Sequence, residues 1–214
     1  PPCPLTAIEQ DLRASICRFV QRADRQKLLT GTADAFSTRL NESEFLITPH
    51  RHDRLEIQAE DLVRVRHNAC SAGQHPCHGA PLHAAIYARI PGVGAIINAQ
   101  PVHVSAFCVT ATPLSTYTIP ESYIVLNEVP KLPFRRSIGD AAEIAAHLSL
   151  EKTPVLLIAN EGAVVIGRTL LQAFDRLEVL EATTEALILA RPLGSTVPLS
   201  TGDIAELRQA LHLA

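Results

Sequence analysis

His83-Ala84-Ala85-Ile86-Tyr87-Ala88-Arg89-Ile90-Pro91-Gly92-Val93-Gly94-Ala95-Ile96-Ile97-Asn98-Ala99-Gln100-Pro101 is the stretch on which the fold of this chain turns. A short helical run meets Pro91-Gly92, a helix breaker, and continues as an apolar segment short enough to be a buried strand. The strand ends on Asn98-Ala99-Gln100, which places two side-chain amides at its tip.

Upstream, Leu5, Ile8, Leu12, Ile16, Phe19, Val20 and Ala23 recur with a helical period, predicting an amphipathic helix within residues 5–29. Residues 35–40 and 44–48, joined by a turn at 41–43 and stopped by Pro49, predict a β-hairpin, and residues 61–65 alternate as another strand. Residues 70–81 are a loop rich in Gly, Pro, Cys and His. Downstream, Pro101 suits the first turn of a helix, and residues 141–150 are expected to be helical. Residues 155–159 and 163–166 read as buried strands joined by the tight turn Asn160-Glu161-Gly162. A long helix is predicted from Thr169 to about Ala190, capped by Thr169 and ended by Pro192 and Gly194. Interleaved strands and helices predict an α/β architecture with a central, largely antiparallel or mixed sheet.

Composition narrows the function classes. With 214 residues, 47% of them hydrophobic, the chain can bury one ordinary core, and residues 1–214 are expected to form one domain. No apolar stretch approaches the ~20 residues that span a bilayer, and Pro1-Pro2-Cys3-Pro4 lacks the features of a signal peptide, so no membrane partner and a cytoplasmic location are expected. Cys3, Cys17, Cys70, Cys77 and Cys108 are odd in number and form no C-x-x-C pair, which predicts reduced thiols. A net charge of −3 and the absence of Trp argue against a nucleic-acid surface.

Three stretches, in this order and spacing, resemble the class II aldolase/adducin family. They are Glu44-Phe45-Leu46-Ile47-Thr48-Pro49 with Glu60-Asp61-Leu62-Val63; Pro81-Leu82-His83 through Pro101; and Leu156 through Asn160-Glu161-Gly162 and Arg168-Thr169 into Ala173-Phe174-Asp175-Arg176-Leu177-Glu178. The resemblance implies a three-layer α/β/α domain, a homo-oligomer, usually a four-fold symmetric tetramer, with active sites between subunits, and a small sugar-type ligand. It also implies a zinc ion or another divalent ion on two histidines at the strand end and a third from an Asn-His-Gly turn. Those positions are here Asn98, Gln100 and Glu161. Amide oxygens are weak neutral donors beside imidazole, so zinc is not expected, no resident metal is assigned, and at most a hard ion would bind loosely.

The resemblance extends the loss to the acid/base residues. A family Glu four residues before the helical His falls on Gly79, and a catalytic Tyr falls on Phe134, which has no proton to give. Of the phosphate-binding pattern only Ser37 remains, although His50 and Arg51, with His52 and His78, offer cationic donors for a phosphate or carboxylate. Candidate catalytic residues are Glu161 and His103; candidate ligand-binding residues are Ser37, His50, Arg51, Asn98 and Gln100. Each has a plainer reading beside it. His83 suits a hydrogen-bonded structural role, Asn98 and Gln100 a mutually satisfied strand end, and His103 a solvent-facing helical turn. His75-Pro76-Cys77-His78 reads as a polar loop. The expected function is a zinc-less paralogue with a structural or regulatory role, its enzyme status open. The alternative is a divergent lyase or epimerase on a small sugar phosphate or sugar acid, using a rebuilt, zinc-independent site.

Overall fold

Helix α1 (Ala7–Arg25) begins where the Thr6 hydroxyl accepts the Glu9 N–H and buries Ile16, Val20 and Ala23. It ends earlier than its apolar period suggests, because Lys27 takes a positive φ of 60° and Leu28 N–H turns back to the Ala23 carbonyl. Leu28 and Leu29 are then buried as a turn, not as helix. The computed structural model describes residues 6–67, 69–134 and 141–211, so Pro1-Pro2-Cys3-Pro4, and Arg135-Arg136, whose sequence reads as a solvated or subunit-contact pair, lie outside the described residues.

The expected hairpin forms as β1 (Ala35–Arg39) and β2 (Glu44–Ile47). The next strand, β3 (Val63–Arg66), starts later than the pattern at 61–65 suggests, since Asp61 accepts the Gln58 N–H and closes a short 3₁₀ turn, Ala59–Asp61. Pro81 lies in the first turn of α2 (Ala80–Arg89), which is followed by β4 (Ala95–Ala99) and α3 (Val102–Cys108). Three elements carry weaker sequence signals: α4 (Pro120–Leu126), the two-residue β5 (Lys131–Leu132) and α7 (Thr201–Ala210). The remainder are α5 (Ala141–His147), β6 (Val155–Ile158), β7 (Gly162–Gly167) and α6 (Leu170–Ala190), the last capped by Thr169 as expected.

All strands join one sheet in the order β3-β2-β1-β4-β7-β6-β5, antiparallel except for the β5–β6 pair. The sheet is thus mixed and largely antiparallel, and helices cover both faces. Strand alternation divides its side chains between two cores. Phe36, Ile97 and Val165 face a core that includes Val20 of α1 and Phe174 of α6, while Ile96, Val164 and Ile166 face Ile86 of α2 and Ile144 of α5. Asn98 shares the face of Ile96, so its side chain emerges on the α2 side. Among the described residues no helix is long and apolar enough to cross a membrane.

At the entry to β4 the backbone passes close to the end of β7. Gly94 donates to the Gly167 carbonyl at 2.9 Å and accepts from Arg39 N–H at 2.8 Å, and a Cβ on Gly94 would lie 2.1 Å from the Arg168 carbonyl oxygen. That oxygen belongs to backbone and cannot swing away, so Gly94→Ala is expected to cost roughly 1–3 kcal/mol or more. Urea unfolding of the variant should show a lowered midpoint; an unchanged midpoint would mean that β4 and β7 can separate without penalty.

Candidate functional site

The central pair of strands assembles the site. Pairing of Ala99 with Ala163 brings the end of β4 beside the β6–β7 turn, in which Asn160 takes a φ of 61° and Glu161 N–H donates to the Ile158 carbonyl. Gly162 follows with a φ of 155°, and a Cβ there would lie 2.6 Å from the Ala99 carbonyl oxygen and 2.9 Å from Gln100 Cγ. Only glycine lets the turn approach so closely. Asn98, Gln100 and Glu161 consequently line one cavity of about 180 Å³, together with Asp34, His78 and Gly79.

Beneath this cavity runs a chain of hydrogen bonds. Ser37 Oγ lies 2.6 Å from His83 Nδ1 and 2.8 Å from the Tyr87 hydroxyl, and His83 Nε2 lies 3.2 Å from Asn98 Oδ1. An amide oxygen can only accept, so Nε2 carries the proton; Nδ1 then accepts from Ser37, whose oxygen accepts from Tyr87. His83 is fully buried, and burial brings its basicity down to about 3, leaving a neutral ring despite the opposing bond to Asn98. Burial likewise raises the Tyr87 phenol well above its ordinary value. The consequence reaches the cavity: with Oδ1 committed to His83, the Asn98 Nδ2 amide has no partner among the described residues.

Asp34 braces the opposite wall. Its carboxylate accepts from the backbone N–H groups of Gln100 at 3.0 Å, Thr30 at 3.3 Å and Gly31 at 3.4 Å, while burial pushes it above the usual carboxylate range. Thr30 Oγ1 donates to the Gln100 carbonyl, and Arg54, itself buried, donates to the carbonyls of Thr32, Asp34 and Pro49. Glu161 presents the opposite condition. Its Oε2 is buried with no hydrogen-bond partner among the described residues, an arrangement that costs free energy unless a ligand donor meets it.

The remaining candidates are placed as follows. Ser37 is fully buried and holds His83 from below; it does not line the cavity. His103 lies in α3 with Nδ1 2.8 Å from Glu181 Oε1, and the same carboxylate accepts the backbone N–H groups of His103 and Val104. A carboxylate from α6 thus caps α3 and holds the imidazole, which is not among the residues lining the cavity. His50 stacks edge-on against His78 with ring centroids 4.3 Å apart, because the loop backbone joins His50 to His75 and Cys77 to Thr48. Desolvation and then the neighbours His78, Arg51, His75 and Arg54 hold the basicity of His50 below its ordinary value. Arg51 is exposed beside this group with a φ of 50°. Phe134, at the position of the family tyrosine, is 42% exposed. Sequence reasoning overlooked Tyr87 and Arg54. Tyr87 was legible, since four residues after His83 in a helix it shares the same face; Arg54 sits in an irregular loop without any periodic signal.

This arrangement can be set beside known proteins. The chain is 30% identical over 208 residues to 3-oxo-tetronate 4-phosphate decarboxylase of Pectobacterium atrosepticum, covering 93% of each chain. It is 28% identical over 213 residues to the enzyme of the same name from Escherichia coli K12, covering 94% of this chain and 97% of the relative. Its fold superposes on YgbL of Klebsiella pneumoniae with a TM-score of 0.84 at 26% identity, covering 96% of this chain and all of that one (100%). The L-fuculose 1-phosphate aldolase of Glaciozyma antarctica PI12 shares the fold, with a TM-score of 0.82 at 22% identity over 99% of this chain and 86% of that one. The family model described as Class II Aldolase and Adducin N-terminal domain matches residues 14–188. With its layered sheet, its strand-end cavity and this match along most of its length, the chain belongs to the class II aldolase and adducin family.

Proposed function

We propose that the chain is a zinc-independent lyase that cleaves a carbon–carbon bond in a small phosphorylated sugar acid, with decarboxylation of a 3-oxo acid as the reaction its site suits best. The names of the relatives support the lyase class. The observation that carries the zinc-independent part is Asn98. A zinc site needs lone pairs aimed at the ion, whereas Asn98 has turned its carbonyl oxygen to His83 and leaves N–H donors on the cavity side. Among the described residues no three His, Cys, Asp or Glu side chains converge as a metal set. The residues present therefore do not fit the zinc that the family resemblance implies.

The chemistry tolerates this exchange. When a 3-oxo acid loses CO₂, the bond between the carboxylate carbon and C2 breaks and its electron pair moves into a C2–C3 enolate, with negative charge on the C3 oxygen. A fixed N–H donor stabilises that oxygen in place of a Lewis acid. The reading assigns this role to Asn98 Nδ2, held in orientation by His83, Ser37 and Tyr87. Glu161 relays a proton from solvent to C2, and the His50, Arg51 and His78 group receives the phosphate. The other reading, a non-catalytic paralogue, draws on Gly79 in place of the base and on the lost imidazoles; the relatives lend it no support.

Two measurements test the reading. The purified protein, treated with EDTA, is expected to release CO₂ from 3-oxo-tetronate 4-phosphate, and Asn98→Ala to lower kcat by about 10²-fold, the usual cost of one oxyanion donor. Turnover that EDTA abolishes and Zn²⁺ restores would reject it, as would the absence of any turnover. The second concerns the neutrality of His83. The unfolded chain takes up this proton as pH falls below the ordinary 6.5, while the native state does so only near 3. The stabilising contribution is therefore complete above about pH 6.5 and declines in acid, by roughly 2 kcal/mol between pH 7 and pH 5. Urea unfolding at both pH values should show that much more acid sensitivity in the wild type than in His83→Gln. Equal pH slopes would show that the ring is not held neutral.

A further inference from the structure

Beside the polar cavity lies a larger one of about 530 Å³, between α2 and the chain that follows β3. Val65, Pro76, Cys77, Pro81, Ala85 and Ala88 give it an apolar wall, and no acidic side chain lines it. Cys77 is almost wholly buried, and burial raises its thiol, so the wall carries no charge there. The two cavities share one residue, His78. At that seam the His50 ring packs on His78, and the permanent charges that bear on His50 are both positive, the exposed Arg51 and the buried Arg54. An apolar chamber thus opens at His78, on which the His50 ring packs, with the exposed Arg51 next along the chain.

We infer that the larger cavity receives the apolar tail of an amphiphilic phosphate ester whose anionic head sits on the histidine and arginine group at His78. Charge and continuity select this occupant. A neutral apolar molecule would leave the cationic rim without a partner, and a sugar phosphate alone would leave an apolar chamber of this size filled only with water that has few polar partners. The inference rests on the functional reading in one respect only, the anionic head at His78. It adds to short sugar acids a second class of ligand, phosphate esters bearing an alkyl or other apolar substituent.

Calorimetric titration of the intact protein with methyl, propyl and hexyl phosphate tests the tail site. Each added CH₂ is expected to tighten Kd by about 4-fold, the equivalent of ~0.8 kcal/mol, until the cavity is full. The double variant Ala85→Leu with Ala88→Leu keeps strong helix formers in α2 and fills the chamber, so the advantage of hexyl over methyl phosphate should vanish while inorganic phosphate binds as in the wild type. Val65→Phe plugs the chamber from the strand side and should give the same result if the helix variant does not fold. Equal Kd values across the series, an advantage that survives both plugs, or no binding of any ester would overturn the inference. The readout is binding alone: a length-dependent series without CO₂ release rejects only the lyase reading, and turnover with a flat series rejects only the tail site.

Discussion

Because β4 and β7 run antiparallel at the middle of the sheet, with Ala99 opposite Ala163, the end of one strand and the turn that opens the other are forced together. Glu161 is far in sequence from Asn98 and Gln100, and this pairing makes the three neighbours at one cavity. The same pairing requires glycine at 94 and at 162, where carbonyl oxygens of the facing segment occupy the space of a side chain. Both cores depend on it too, since alternation along the two strands sends Ile97 and Val165 one way and Ile96 and Val164 the other. Site and core are consequences of a single register, and a slip of one residue would exchange them.

At the end of this register the polarity of the site is set by a proton on one nitrogen. His83 is neutral because it is buried, and donates through Nε2 because its partner there is a carbonyl oxygen. That choice turns the amide N–H groups of Asn98, and not its carbonyl oxygen, toward the cavity. Glu161 supplies the complementary acceptor with a buried, unpartnered oxygen. Donor and acceptor on facing elements suit an organic ligand with oxygens of both kinds better than they suit a bare ion.

Much of this was legible in the sequence, and the exceptions have physical causes. The hairpin, the 83–101 helix-to-strand passage, the tight turn at Glu161 and the Thr169 cap follow from period, breakers and capping residues, which are local. Helices α4 and α7 were missed; α4 is short, and α7 buries none of its residues, so hydrophobic period carries no signal there, although Ser200 and Asp203 do form a capping box. The convergence of Asn98, Gln100 and Glu161 was expected from family resemblance and was reached by strand pairing. His103 and Ser37 behaved otherwise, for a reason no spacing reveals: each is bound by a group distant in sequence, Glu181 for the one and His83 for the other. Hydrogen-bond commitment depends on tertiary partners, and residue type discloses only capacity.

The chain from Tyr87 through Ser37 and His83 to Asn98 also fastens α2 to β1 and β4, since its members belong to all three elements. Architecture and reactivity are thereby separated along one thread. The inner links hold the helix on the sheet whatever group stands at the outermost position, and of these four residues only that outermost amide lines the cavity. A scaffold divided in this way is free to exchange one kind of chemistry for another by altering a rim of a few side chains, with the seam between helix and sheet left closed throughout the exchange.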